Sequence, residues 1–133
     1  NQVSGFRAYD TQAGLYNNYV TAHGKQEADR FSARPGYSEH QTGLVFDLID
    51  NQGKLLGSDG TNESSKKAAE WLANNAHKYG YIVRYKPEFV DKTGYMEESW
   101  HIRYVGEEEA KTIHEKNISL EEYLNAPGGD YAN

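Results

Sequence analysis

Two short stretches carry side chains able to do chemistry together. In Ser38-Glu39-His40-Gln41-Thr42-Gly43-Leu44-Val45-Phe46-Asp47, a histidine stands seven positions before a carboxylate set inside a nearly all-apolar run. In Glu97-Glu98-Ser99-Trp100-His101, two carboxylates come just before a histidine that opens an aromatic stretch. There is no cysteine, so any metal must bind through His, Asp or Glu, and cysteine nucleophiles and disulfides are excluded. Two His and one Asp would give zinc three protein ligands and leave a fourth position for water, the arrangement of a catalytic rather than a structural site. Glu98 would then be the natural general base.

Both stretches set conditions on the fold. His40 and Asp47 would lie up to roughly 23 Å apart in an extended chain, so the backbone must turn between them, and Gly43 supplies a residue able to bend. Glu98 is three residues from His101, which puts the two on opposite sides of a regular strand; a turn at Ser99 is needed to bring them together. Taken alone, each stretch has a plainer reading. Asp47 reads as a buried carboxylate hydrogen-bonded to a neighbouring His or backbone N–H, and Glu97-Glu98 as a solvated acidic loop. His23, His77 and His114 read as surface or helix-end residues without ligand-like neighbours.

The elements that must position these groups follow from periodicity. Val3 to Arg7 reads as a short strand, after which Asp10 caps a helix carrying Leu15, Tyr16, Tyr19 and Val20 at helical spacing, stopped by Gly24. Lys25 to Phe31 adds a short polar helix, and Arg34-Pro35-Gly36 leads into a loop over Ser38 to Gly43. Leu44 to Ile49 reads as a central strand covered on both faces, where an ionised Asp47 would cost several kcal/mol unless paired or metal-bound. Ser64 or Ser65 caps a helix whose face is Ala69, Leu72, Ala76 and Tyr79, with Gly80 as its stop. Tyr81 to Tyr85 is a strand, Lys86 to Gly94 a polar loop, and Trp100 to Val105 a second strand candidate. Glu107 to Glu115 is helical, and Ser119 with Glu122 makes a capping box for a last short helix. The sum is an α+β domain, a small antiparallel sheet with helices packed on it.

A length of 133 residues suits one folding unit. No run approaches the roughly 18 apolar residues of a membrane span. The net charge is −6 and no basic cluster exceeds Lys66-Lys67, so nothing is present to neutralise phosphates and nucleic acid is not an expected partner. No basic-then-apolar leader follows Asn1, and targeting cannot be read from the stretch itself.

Ser38 to Asp47 resembles the S-x-H-x-x-G-x-x-x-D motif of the bacterial zinc D-Ala-D-Ala carboxypeptidase family, and Glu98-Ser99-Trp100-His101 resembles its E-x-W-H motif. That family includes vancomycin-resistance peptidases of the VanX and VanY type and L,D-carboxypeptidases of the LdcB/DacB type. Similarity extends to Ser4-Gly5-Phe6-Arg7, Ala33 to Gly36, Tyr79 to Tyr85 and Arg103 to Gly106, in the expected order, and together the motifs override the plainer readings. The resemblance implies one zinc per chain on His40, Asp47 and His101, with Glu98 as catalytic base and Arg7 facing the substrate carbonyl. It also implies peptide contacts from Gln12 and Ser38, and a groove lined by Arg84 and Trp100. Ser99 departs from the proline common in E-P-W-H, which leaves the turn less rigid but removes no reacting group.

The implied activity is removal of the terminal D-alanine from peptidoglycan stem peptides, with L,D-carboxypeptidase action on tetrapeptides placed first. The alternatives are a VanY-like D,D-carboxypeptidase acting on pentapeptides and, from another class, a non-catalytic wall-peptide-binding module. The Gly/Asn-rich end over 127–133 reads as a flexible tail, which leaves a catalytic domain over residues 1–126, expected to be a monomer; the resemblance implies an extracytoplasmic place at the bacterial cell envelope, with any membrane anchor outside this stretch.

Overall fold

In a computed structural model of the chain, residues 2–129 are described. Four strands, β1 (Gln2–Ser4), β2 (Val45–Leu48), β3 (Tyr81–Tyr85) and β4 (Glu98–Tyr104), form one antiparallel sheet in the order β1-β2-β4-β3. The expected α+β class with a small antiparallel sheet is what the structure has. Antiparallel pairing of β2 with β4 sets Phe46 opposite Ile102 and Asp47 opposite His101. Because side chains alternate along a strand, one register sends the apolar pair to one face and the Asp–His pair to the other.

The apolar face is covered by α3 (Glu63–Asn75) and the 3₁₀ turn Ala76–Tyr79 that follows it. Leu56, Leu72, Ala76 and Ile102 form its buried centre, with Phe46, Leu48, Val83 and Trp100 packed against them. Burying a side chain such as Leu72 contributes about 1.5–3 kcal/mol, which makes this layer the main support of the sheet. A second cluster, Ile82, Ala110, Ile113 and Leu120, fastens α5 (Glu107–Lys116) and α6 (Leu120–Leu124) to β3. α1 (Tyr9–His23) and α2 (Lys25–Phe31) are joined through buried Asp29, which accepts hydrogen bonds from Tyr16 at 2.6 Å and from the Arg34 guanidinium at 2.6 and 2.9 Å.

Several local expectations change. β1 ends at Ser4, and α1 begins one residue before Asp10, because Ala8 is the last extended residue; Asp10 lies in the first turn, where its charge meets the helix N-terminus. Neither serine caps α3. Asn62 does, accepting from the Ser65 N–H at 3.1 Å, while the Ser65 hydroxyl accepts from Gly57 N–H at 2.8 Å. Tyr79 is exposed instead of packed, since the chain tightens to a 3₁₀ turn before Gly80 and rotates it outward. β2 is not covered on both faces by apolar groups: its second face is the polar cleft described below.

The 86–94 segment holds a 3₁₀ turn and the short α4 (Val90–Thr93). β4 starts at Glu98, two residues earlier than Trp100. The capping box of Ser119 and Glu122 is present. Gly129 N–H donates to Thr93 O at 3.1 Å, which seats the described part of the 127–133 tail against α4; residues 130–133 lie outside the described residues. Among the described residues no helix is long and apolar enough to cross a membrane.

Candidate metal centre

The turn before β2 is built to aim His40. Ser38 caps the 3₁₀ turn Glu39–Thr42, its hydroxyl accepting from His40 N–H at 3.3 Å, and Gly43 closes the turn at φ 73°, a conformation that disfavours other residues. The bend that His40 and Asp47 require is therefore made at Gly43. His40 Nδ1 lies 2.7 Å from Gly5 O; a carbonyl only accepts, so Nδ1 carries the proton and Nε2 presents a lone pair, 3.2 Å from Asp47 Oδ2. His101 has the converse arrangement. Its Nε2 faces Glu39 Oε2 at 3.1 Å, and Nδ1 faces Asp47 Oδ1 at 3.0 Å and Glu98 Oε2 at 3.7 Å.

Donor atoms of His40, Asp47 and His101 all lie within 4.8 Å of one another. A lone pair pointed at a carboxylate oxygen is repulsive unless a proton or a metal ion lies between, so this donor set asks for a cation. The electrostatics say the same. Burial opposes charge on His101, but hydrogen bonds to Asp47 and Glu39 outweigh it and lift the imidazole to about 9. Burial also works against an ionised Asp47, yet His101 and His40 hold it well below the usual carboxylate range. Zinc would displace the proton from His101, and two neutral imidazoles with one carboxylate then fit it in ligand type and number.

Glu98 stands beside this group. Burial first, then the charges of Asp47 and Glu39, push its carboxyl up to about 7 against the pull of His101 and Arg7. Its approach to His101 is made by a bulge. Between Val83 and Tyr85 the pairing moves from Ile102 to Glu98, so two steps on β3 match four on β4, and the extra residues carry Glu98 round to the side of His101. Ser99 Oγ donates to Leu56 O at 2.7 Å and pins the bulge. Gly57 permits that approach, since a Cβ there would stand 2.6 Å from Ser99 Oγ.

The group opens onto a cleft of about 300 Å³ whose lining includes Arg7, Ser38, Tyr19, Leu55, Met96 and Trp100. Arg7 is held by Gln12 Oε1 at 2.9 Å and Ser4 Oγ at 3.0 Å, and its backbone N–H donates to His40 O. Gln12 borders the cleft but is 2% exposed, and both its amide donors are spent inside the protein, on Ala33 O at 2.6 Å and Ser32 Oγ at 3.3 Å. It holds Arg7 and has no donor to offer a peptide. Trp100 packs against the α3 layer and borders the cleft as well. Arg84 is not among the cleft-lining residues: it lies behind His101, its guanidinium engaged by Glu39 and Glu121.

Glu39, Arg103 and Tyr85 are the participants that sequence reasoning missed. Glu39 accepts from Arg84 Nε at 2.8 Å and Arg103 NH1 at 2.9 Å, and despite its burial it is held at about 2 by His101 and Arg84. The Tyr85 ring stacks obliquely on His101, 5.0 Å between centroids. A signal existed in the two arginines of β3 and β4, each of which needs an anion if buried. Of the other histidines, His77 and His114 stack on each other at 3.7 Å, half-buried between the turn after α3 and α5.

The family described as VanY, D-alanyl-D-alanine carboxypeptidase, matches residues 1–107. Among solved structures, the L,D-carboxypeptidase DacB of Streptococcus pneumoniae is 54% identical with a TM-score of 0.84, covering 96% of this chain and 65% of its own. The LdcB LD-carboxypeptidase, whose structure is described as revealing the basis of peptidoglycan recognition, is 53% identical at 0.84, covering 98% and 66%. The vancomycin-resistance D,D-pentapeptidase VanY from the VanB-type cassette, an E175A mutant solved with Zn(II), is 34% identical at 0.79, covering 94% and 71%. The chain spans about half the length of the curated relatives it matches.

Proposed function

The chain belongs to the VanY family of D-alanyl-D-alanine carboxypeptidases, and from that premise we propose that it is a zinc carboxypeptidase domain that removes the terminal D-alanine from peptidoglycan stem peptides, with tetrapeptides and an L,D bond as its substrate. The observation that carries the reading is the convergence of His40, Asp47 and His101, with Glu98 at 3.7 Å from the metal-facing nitrogen of His101. The L,D preference is supported by the 54% identity to DacB against 34% to the D,D-pentapeptidase. The domain acts as a monomer at the cell envelope, outside the cytoplasm, where such peptides are found.

His40, Asp47 and His101 would hold a zinc ion, which when bound would supply Lewis acidity for the scissile carbonyl and acidify water. Glu98 takes a proton from the attacking water as its oxygen bonds to the carbonyl carbon, and returns the proton to the amine as the C–N bond breaks. Water and peptide are consumed; free D-alanine and a shortened stem are released. Negative charge develops on the carbonyl oxygen, and the Arg7 guanidinium, fixed by Gln12 and Ser4, meets it without reorganising. Ser38 and Trp100 border the peptide, while Gln12 and Arg84 act from behind.

The test is a product assay on matched tri-, tetra- and pentapeptides at equal concentration with zinc present. Release of D-alanine fastest from the tetrapeptide is expected. Faster cleavage of the pentapeptide would move the domain to the D,D class, and no release from any of them would leave a peptide-binding module.

A further inference from the structure

His101 offers Nδ1 to the metal group because Nε2 is engaged by Glu39. The second oxygen of Glu39 accepts from both Arg84 and Arg103, which puts two guanidinium groups on one buried carboxylate. One anion does not balance two cations. The balance is made by Glu121 of α6, whose carboxylate takes both terminal nitrogens of Arg84, NH1 to Oε2 at 2.9 Å and NH2 to Oε1. The side chains of Arg84, Glu39 and Glu121 are 9%, 13% and 12% exposed, so solvent screens these contacts little. Without Glu121 the fork of Arg84 would turn to Glu39, the other carboxylate it touches among the described residues, and compete with His101 for it. Glu121 lies beyond residues 1–107, the part that matches the family.

We propose that Glu121 and Arg84 are positioning residues for the metal centre: α6 anchors Arg84, Arg84 fixes Glu39, and Glu39 accepts the Nε2–H of His101, so that the Nδ1 lone pair is kept for the metal. This rests on the reading of His40, Asp47 and His101 as zinc ligands. The last helix of the domain is then part of the site, although none of its residues borders the cleft.

Zinc affinity of the wild type, Glu39→Gln, Glu121→Gln and the double variant, measured at one pH against a competing chelator, tests the relay. Glu39→Gln should weaken zinc about 10- to 100-fold, as expected for loss of a carboxylate behind a ligating histidine. Glu121→Gln should weaken it by a smaller factor and add nothing in the Glu39→Gln background. An equal fold-change from Glu121→Gln in both backgrounds, or none in either, would overturn the proposal. Leu120→Ala, which loosens the packing of α6 but leaves the relay intact, should lower the thermal midpoint with zinc affinity unchanged; a loss matching that of Glu121→Gln would reduce the effect to general loosening and also overturn it. If Glu121→Gln does not fold, Glu121→Asp, its carboxylate drawn back by one methylene, is read in the same way. A wild-type protein that takes up no zinc would sink the ligand assignment itself, a separate failure.

Discussion

His40 can offer the cleft a single nitrogen, because the other donates to Gly5 O, and the same is true of His101 through Glu39. Fixing both rings from behind leaves their lone pairs converging with Asp47, and Glu98 joins them without being needed as a ligand. The roles of Asp47 and Glu98 are therefore separable. Glu98→Gln keeps the side-chain volume and much of its hydrogen bonding but cannot accept a proton, so it should keep its zinc while losing on the order of 10²–10⁴ in turnover. Metal analysis alongside D-alanine release checks this, and near-normal turnover would place the base elsewhere. The meeting of His40, Asp47, Glu98 and His101 was readable in the sequence because a carboxylate inside an apolar strand must find a partner, and the resemblance to the carboxypeptidase motifs names the candidates. Glu39 and the internal task of Gln12 were not. Glu39 meets His101 across 62 residues and Gln12 meets Ala33 across 21, and such pairings depend on how elements pack, which periodicity does not record.

At the scale of elements, the sheet register does the aiming and the helices hold it. The demand for a deviation near Ser99 could be read from the spacing of Glu98 and His101, but its form could not: the chain makes a bulge inside β4, fixed by the Ser99 hydroxyl, where a turn before the strand had been the expectation. The strand over 81–85 and the helix over 25–31 were readable because Gly80 and Gly24 mark where they start. The cap of α3 was missed because Asn62 competes with two serines close by, and its amide is fixed by tertiary bonds to Asp50 at 3.1 Å and Asn51 at 3.3 Å, which local sequence does not record. The α1–α2 unit carries a test of its own. Arg34 above all, helped by Tyr16 and Lys25, holds Asp29 well below the usual carboxylate range despite its burial. A depressed folded-state pKa means that the unfolded chain binds its proton first, at about pH 4, so this stabilisation is complete at neutral pH and is lost as the pH falls toward the folded value. Asp29→Asn should lower the thermal midpoint at pH 7, and its deficit relative to the wild type should shrink between about pH 4 and pH 2. A deficit that does not change with pH would mean that packing, and not charge, is what Asn fails to replace.

For the molecule as a whole, the three proposed ligands belong to the turn before β2, to β2 itself and to β4, so a metal ion would add a crosslink between elements 54 residues apart, beside the sheet pairing and the contacts of Glu39 with His101 and Arg103. It would also relieve buried negative charge, since Asp47 and Glu98 both face the metal-side nitrogen of His101 and the charge of Asp47 helps to push the Glu98 carboxyl up. The unfolded chain is a poor competitor for the ion, having no cysteine and only five histidines scattered along it. Binding restricted to the folded state adds about 2.7 kcal/mol when zinc is at 100 times its dissociation constant. For a domain of 133 residues, that corresponds to a rise in Tm of roughly 10 °C. Thermal scans after EDTA treatment should show this drop, and restoring zinc, but not magnesium, should reverse it, because a site of two imidazoles and one carboxylate suits zinc far better than a hard cation that prefers oxygen. His40→Ala should abolish the zinc-dependent rise and also lower the metal-free Tm, since it removes a buried imidazole that donates to Gly5 O and pairs with Asp47. A zinc-dependent rise that survives intact in His40→Ala would place the ion at another site.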